Sequence, residues 1–348
     1  MDREKVLSLA AERIDSLASL DVPSRNVIHL LYPLAREKIQ EPLCMAAAKL
    51  LARSVTRGGV VLIATGWPDR PDISPLIAET DGPPGAAALA RALHKGLGAV
   101  PVVAVEESLV EAMESVMRAA GFRIVTPRQA IMAVASTAPI HAASVISFPT
   151  DLEEARNKAR TIFDAISPQA VIAIEKGGAN EKGRIHTSRG ADTSAHMAKA
   201  DCLIIEAQTR GVVTLGIGDG GNEIGMGVIR EGVAKVIPYG EQCKCGCGGG
   251  IAPSTPTDLL VAASISNWGA YGVAACLAVL LEDVSVFHDD VVEERILEAA
   301  YRASLIDGIT GYCEPSADGI QAFVHKAFVT LMRETVRQAI RSMSAINK

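Results

Sequence analysis

From Gly59 onward the chain alternates short β-branched runs with amphipathic stretches, and this alternation limits the fold more than any other feature. The runs cover residues 60–64, 100–105, 122–125, 145–148, 170–174 and 212–216. Such nearly continuous apolar strands are buried on both faces, which requires helices on both sides of the sheet. The stretches between them supply those helices over 85–97, 109–120, 152–166 and 193–209, several behind a capping residue such as Ser108 or Asp151. The expectation is an α/β fold, with a largely parallel or mixed sheet flanked by helices. Before it, apolar positions near a 3.6-residue period predict helices over 5–20, 24–39 and 42–55. Beyond it, 290–304 and 320–343 are helical by the same pattern. The organisation expected is a helical N-terminal segment, 1–57, and an α/β catalytic domain, 58–348, that includes the C-terminal helices.

Charge and hydropathy narrow the function. A net charge of −6 provides no field to attract a polyanion, so nucleic acid is not an expected partner. The longest uncharged apolar stretch runs from Trp268 to Leu281 and contains two glycines, short of the ~18–20 residues that cross a bilayer. No membrane span is expected. The start, Met1-Asp2-Arg3-Glu4-Lys5, resembles neither a signal nor a transit peptide, and an odd count of seven cysteines suits free thiols in a reducing compartment. The location expected is the cytoplasm. Apolar helices at both ends offer a contact for a homodimer.

In a parallel sheet, ligands bind beyond the carboxyl ends of the strands. Directly after Val212 to Leu215 stands Gly216-Ile217-Gly218-Asp219-Gly220-Gly221-Asn222-Glu223-Ile224-Gly225-Met226-Gly227. Its glycines permit close approach of a ligand, and Asp219, Asn222 and Glu223 fall within about one helical turn. Oxygen donors without an accompanying His or Cys suit Mn²⁺ or Mg²⁺ better than zinc. The spacing Gly216-x-Gly218-x-x-Gly221 also matches a dinucleotide fingerprint, although Asp219 and Glu223 would repel a pyrophosphate. Helix capping by Asp219 or Asn222 is the plainer alternative.

Other segments add polar groups at comparable positions. Glu79-Thr80-Asp81-Gly82-Pro83-Pro84-Gly85 is an acidic turn into a helix, with Asp81 either an N-cap or part of a site. Glu175 ends the run at 170–174 and is followed by Lys176, and Arg189 lies in the polar loop beyond; an arginine there is either solvated or a carboxylate clamp. Asn267, in Ser266-Asn267-Trp268-Gly269, either orients a substrate or satisfies backbone groups at a helix entry. Cys243-Lys244-Cys245-Gly246-Cys247 lacks the Cys-x-x-Cys spacing of zinc knuckles and has no histidine nearby in sequence, so a mobile thiol-bearing loop is its default reading. His186, His196 and His325 read as structural.

The Glu79 to Gly85 turn, the stretch from Gly218 to Gly227, Ser266-Asn267-Trp268-Gly269 and Asp307-Gly308-Ile309-Thr310-Gly311 resemble, in order, the signature stretches of the D-glutamate cyclase family, over about residues 58–329. The cysteine and glycine run departs from the pattern. The resemblance implies a lyase (a hydro-lyase of D-amino-acid metabolism) that dehydrates D-glutamate to 5-oxo-D-proline with the help of a divalent cation such as Mn²⁺. For that reaction on a small amino-acid substrate, Glu175, Asp219, Asn222 and Glu223 are the expected metal ligands. Glu79 and Asp81 are expected as catalytic acid and base, and Lys176, Arg189 and Asn267 as substrate-binding groups. Two rival functions are an NAD(P)-dependent oxidoreductase built on Gly216–Gly221 and a noncatalytic sensor of an acidic metabolite.

Overall fold

A computed structural model describes residues 2–346. At its centre are seven parallel strands: β1 (Val60–Thr65), β2 (Val100–Val105), β3 (Arg123–Ile124), β4 (Ala142–Ser147), β5 (Ala170–Ile174), β6 (Val213–Gly218) and β7 (Leu259–Ala262). Their spatial order is β3-β4-β2-β1-β5-β6-β7, with every neighbouring pair parallel. The chain therefore builds outward from β1 in one direction, then returns beside β1 as β5 and builds the other way. The crevice beyond the carboxyl ends of β1 and β5 is the switch point at which such sheets bind ligands. The fold is α/β, as the alternation implies.

Period-two burial divides the strand side chains between two cores. Val61, Ile63, Ile172 and Ile174 join the larger one, while Leu62, Ala64, Val171 and Ala173 face the smaller. Three helices precede the sheet: α1 (Arg3–Ala18), α2 (Ile28–Ile39) and α3 (Leu43–Ser54). Between strands run α4 (Pro83–Leu97), α5 (Val110–Ala119), α6 (Pro127–Ala133), α7 (Leu152–Ile166), α8 (Asp201–Thr209) and α9 (Arg230–Val236). After β7 come α10 (Ser266–Leu280), α11 (Asp290–Arg302), the small antiparallel pair β8 (Ser316–Ala317) and β9 (Ile320–Gln321), and α12 (Ala322–Ile346).

The apolar stretch from Trp268 is α10, whose residues are buried nearly throughout. It packs on α1, α3, α4 and α12, so it is a core helix rather than a membrane span. Among the described residues, no helix is long and apolar enough to cross a membrane. Two expectations need correction. Residues 193–200 precede α8 as a loop, because Asp192 Oδ1 accepts from Ser194 N at 2.8 Å and Ser194 Oγ accepts from Ile185 N at 2.8 Å, local bonds that compete with a helix. Strand β7 was not foreseen; its four residues carry no period long enough to read.

Candidate active site

The residues of the crevice are brought together by turns at strand ends. Glu175 follows β5 with a left-handed backbone, φ 45°, and its side chain enters the crevice. Asp219 follows β6. Asp81 precedes α4, where Gly82 (φ 100°) allows the chain to pass Glu175: a Cβ there would lie 2.8 Å from Thr65 Oγ1 and 3.0 Å from Glu175 Cβ. Asp81, Glu175 and Asp219 are all buried, and each offers one carboxylate oxygen within 4.8 Å of the others.

The N-terminus of α10 holds this group in place. Ser266 N donates to Asp81 Oδ2 at 2.9 Å, Asn267 N donates to Asp81 Oδ1 at 2.9 Å, and Ser266 Oγ donates to Glu175 Oε2 at 2.5 Å. Free N–H groups and the helix dipole favour carboxylates there. They do not cancel the crowding. Burial, followed by Asp318 and Asp219, pushes the Asp81 carboxyl well above its ordinary range, and burial with Asp219 and Glu223 does the same to Glu175.

Glu175 and Asp219 line a cavity of about 220 Å³ together with Glu79, Arg70, Arg189 and Asp318 among others, while Asp81 is not part of that lining. This is below the ~300–1,000 Å³ of pockets for drug-sized ligands and suits a small polar molecule. Glu79 keeps some exposure and makes no side-chain hydrogen bond among the described residues. Burial, then the charges of Asp318 and Asp81, raises its carboxyl well above the usual range. Arg25, from the segment joining α1 and α2, bonds Asp219 Oδ2 at 2.6 Å and lies 3.1 Å from Asp318 Oδ2. Burial opposes its charge, but Asp219 and Asp318 outweigh that and hold it protonated.

Several expected residues do other work. Glu223 does not stand with the triad: its carboxylate accepts from the backbone N–H groups of Asp219 at 3.0 Å, Gly220 at 2.5 Å and Gly221 at 2.9 Å. It lines the cavity while clamping the glycine turn, and burial with Asp219 raises it to about 7. Asn222 also lines the cavity, but its Nδ2 donates to His186 O at 2.8 Å. Lys176 lies outside the cavity lining; its ammonium is fully buried against Glu106 Oε1 at 2.5 Å and Gly66 O at 2.7 Å. Asn267 spends its amide on backbone, accepting from Gly82 N and Gly85 N and donating to Thr80 O, which is the helix-entry alternative. His325 accepts from Trp268 Nε1 at 2.9 Å inside the core.

Two residues of the crevice were not expected as site residues: Arg25, and Asp318, which read as part of a polar turn open to either turn formation or catalysis. Asp318 occupies the turn between β8 and β9 in a left-handed conformation, φ 54°, and only its position in an acidic turn hinted at it. Arg25 had no local signal.

Fold and site together define an α/β protein with a small acid-lined pocket at the switch point of its sheet. A family model described as D-glutamate cyclase-like, C-terminal, matches residues 14–333, and the chain belongs to that family. The human protein named D-glutamate cyclase, mitochondrial, is 27% identical over 269 residues, which is 77% of this chain and 38% of that relative. The chain thus spans well under half the length of this relative.

Proposed function

We propose that this chain is a lyase that closes D-glutamate into 5-oxo-D-proline with loss of water. The observation that carries the reading is the buried convergence of Asp81, Glu175 and Asp219, the last two lining a cavity sized for an amino acid together with a partly exposed Glu79 and three arginines. Family membership supports the cyclase class, and the printed name of the human relative supports the substrate.

An all-oxygen donor set of three crowded carboxylates fits a hard divalent cation, Mn²⁺ or Mg²⁺. Asp81, Glu175 and Asp219 would hold it, with Asn222 and Glu223 on the adjoining cavity lining. When bound, it would polarise the γ-carboxylate and offset charge on the tetrahedral oxygen.

The remaining work falls to side chains. Arg189 and Arg70, on the cavity wall, suit the α-carboxylate, for which a planar guanidinium offers two parallel donors. Holding the chain curled places the amine beside its own γ-carbon, where intramolecular attack gains a large effective concentration. The ammonium nitrogen must shed two protons. Glu79, with a raised pKa and no protein partner, suits their transfer in turn to one γ-carboxylate oxygen, which departs as water when the C–N bond has formed. The products are one lactam and one water, with no oxidant needed.

The dinucleotide alternative loses support because Glu223 fills the hollow of N–H groups that a pyrophosphate would need. A sensor of an acidic metabolite would share the cavity but not turn over. The deciding experiment incubates the purified chain with each enantiomer of glutamate, with Mn²⁺, Mg²⁺ or chelator, and follows lactam formation by NMR. Conversion of the D form that stops with chelator is expected; binding without conversion overturns the lyase reading. The seven unpaired cysteines support a cytoplasmic location, which fractionation tests against the organelle in the relative's name.

A further inference from the structure

Cys243, Cys245 and Cys247 alternate in sequence, an arrangement that in an extended strand would space the sulfurs along one face at ~6.5–7 Å. Here the chain curls instead. Gly246 and Gly248 take left-handed backbone, φ 77° and 79°, with open space around each, and Cys243 N donates to Gly249 O at 3.2 Å to close the loop. The sulfurs are drawn inward: Cys243 Sγ lies 3.3 Å from Cys245 Sγ and 3.4 Å from Cys247 Sγ. A fourth donor arrives from a distant loop, since His186 Nε2 is 3.2 Å from Cys245 Sγ and 3.9 Å from Cys247 Sγ. All four atoms lie within 4.8 Å of one another.

We propose that these four residues bind one structural zinc ion. Zinc bonds of ~2.3 Å to sulfur and ~2.0 Å to nitrogen, set tetrahedrally, give donor separations of about 3.5–3.8 Å, close to those present. Three thiolates and an imidazole form a soft donor set that selects zinc over the hard cations suited to the carboxylate triad. Four protein ligands leave no open position, so the ion is structural rather than catalytic. Asn180 Nδ2, 3.6 Å from Cys247 Sγ, supplies an outer hydrogen bond of the kind that orients ligands.

The site also has a mechanical role. Lys244 N donates to Gly190 O at 2.9 Å, and Asn222 Nδ2 bonds His186 O, so the cysteine loop and the crevice both grip residues 186–190. Thr187, Ser188 and Arg189 of that segment line the cavity. A zinc ion at its edge staples the cavity wall, whatever substrate the cavity takes.

The test is elemental analysis of the full chain, purified without chelator from zinc-supplemented cells, alongside C245S/C247S and D81N/D219N variants. One tightly held zinc per chain is expected in the parent and in D81N/D219N, and its loss in C245S/C247S. Hydrogen exchange across residues 184–192 should quicken when the zinc is lost. Should C245S/C247S fold poorly, cobalt substitution of the parent replaces it: thiolate-to-cobalt charge-transfer absorption and strong visible bands of tetrahedral cobalt, both displaced by zinc, are expected. A parent chain without zinc, zinc retained by C245S/C247S, a disulfide among the three cysteines in freshly purified protein, or cobalt spectra lacking thiolate bands would each overturn the proposal.

Discussion

Arg25 Nη2 stands 2.6 Å from Asp219 Oδ2, although 194 residues separate the two in sequence. The same guanidinium donates to Ser264 O at 2.6 Å and lies 3.1 Å from Asp318. Among the described residues it is the arginine that pairs directly with Asp219 and Asp318, and it comes from the helical N-terminal segment. Replacing Arg25 with Met leaves Asp219 and Asp318 facing each other with less compensation. The expected outcome is a fall in kcat/KM of about 10- to 100-fold, or ~1.4–2.7 kcal/mol of transition-state stabilisation. Steady-state kinetics with D-glutamate checks it, and full activity would remove Arg25 from the site.

Among the described carboxyls that line the cavity, Glu79 is the one with no side-chain hydrogen bond or ion pair. Glu79→Gln preserves its shape and removes its proton, so kcat should drop by about 10²–10⁴-fold with KM nearly unchanged. The acid limb of the pH–rate profile should move with it, because burial and nearby acids hold this group above its ordinary pKa. An unchanged profile would assign the proton transfer elsewhere.

Lys176 belongs to a buried ion pair with Glu106, and Glu106 also accepts from Ala198 N at 2.7 Å. Lys176→Met alone strands a buried carboxylate and is expected to cost about 3–5 kcal/mol. Combining it with Glu106→Gln restores most of that loss. The double variant should keep its KM for D-glutamate, and denaturant melts with kinetics check both. A raised KM would return Lys176 to the substrate.

The crowded acids predict how stability depends on pH. Glu223 rises from its ordinary 4.5 to about 7 in the folded chain, so between those values the folded state binds more protons than the unfolded one. Stability contributed by the neutral form is complete below about 4.5 and is lost as pH rises through about 7, on the order of 3 kcal/mol. Glu79, Asp81 and Glu175 act in the same direction. Thermal melts of metal-free protein should decline across this window, and added Mn²⁺ should recover more stability at high pH than at low, because the ion competes with protons. A melt that is flat across the window would contradict the crowding.

Glu223→Gln tests the clamp on the glycine turn. The glutamine keeps one acceptor oxygen and turns an N–H toward one of the three backbone donors now satisfied by the carboxylate. The expected cost is about 1–3 kcal/mol, read by denaturant titration.

The strands were largely legible because each is a short β-branched run between turn residues, as at 170–174, where expected and observed limits coincide. Asp81, Glu175 and Asp219 stood out as acids at strand ends and helix starts of a parallel sheet, but Asp81 was expected as an acid–base group rather than in one cluster with the other two. The roles of Glu223, Lys176 and Asn267 were not legible. Each carries a polar group of the expected type at the expected turn, and which partner it faces is set by elements far away in sequence. The approach of His186 to the cysteine run was hidden for the same reason, as that histidine lies 59 residues from Cys245.

What the amino-acid order alone determined is local: periodicity made strands and helices, and glycines beside acids marked where the chain turns toward a ligand. What only the tertiary structure decided is which of those acids meet. Strand order put β5 beside β1 and β6 beside β5, the N-terminus of α10 gathered the carboxylates of three turns, and Arg25 was folded in from outside the sheet. Side chains of one chemical type are equivalent along a chain and become distinct only through their neighbours, because desolvation and Coulomb interaction act over a few ångströms of space rather than over sequence separation.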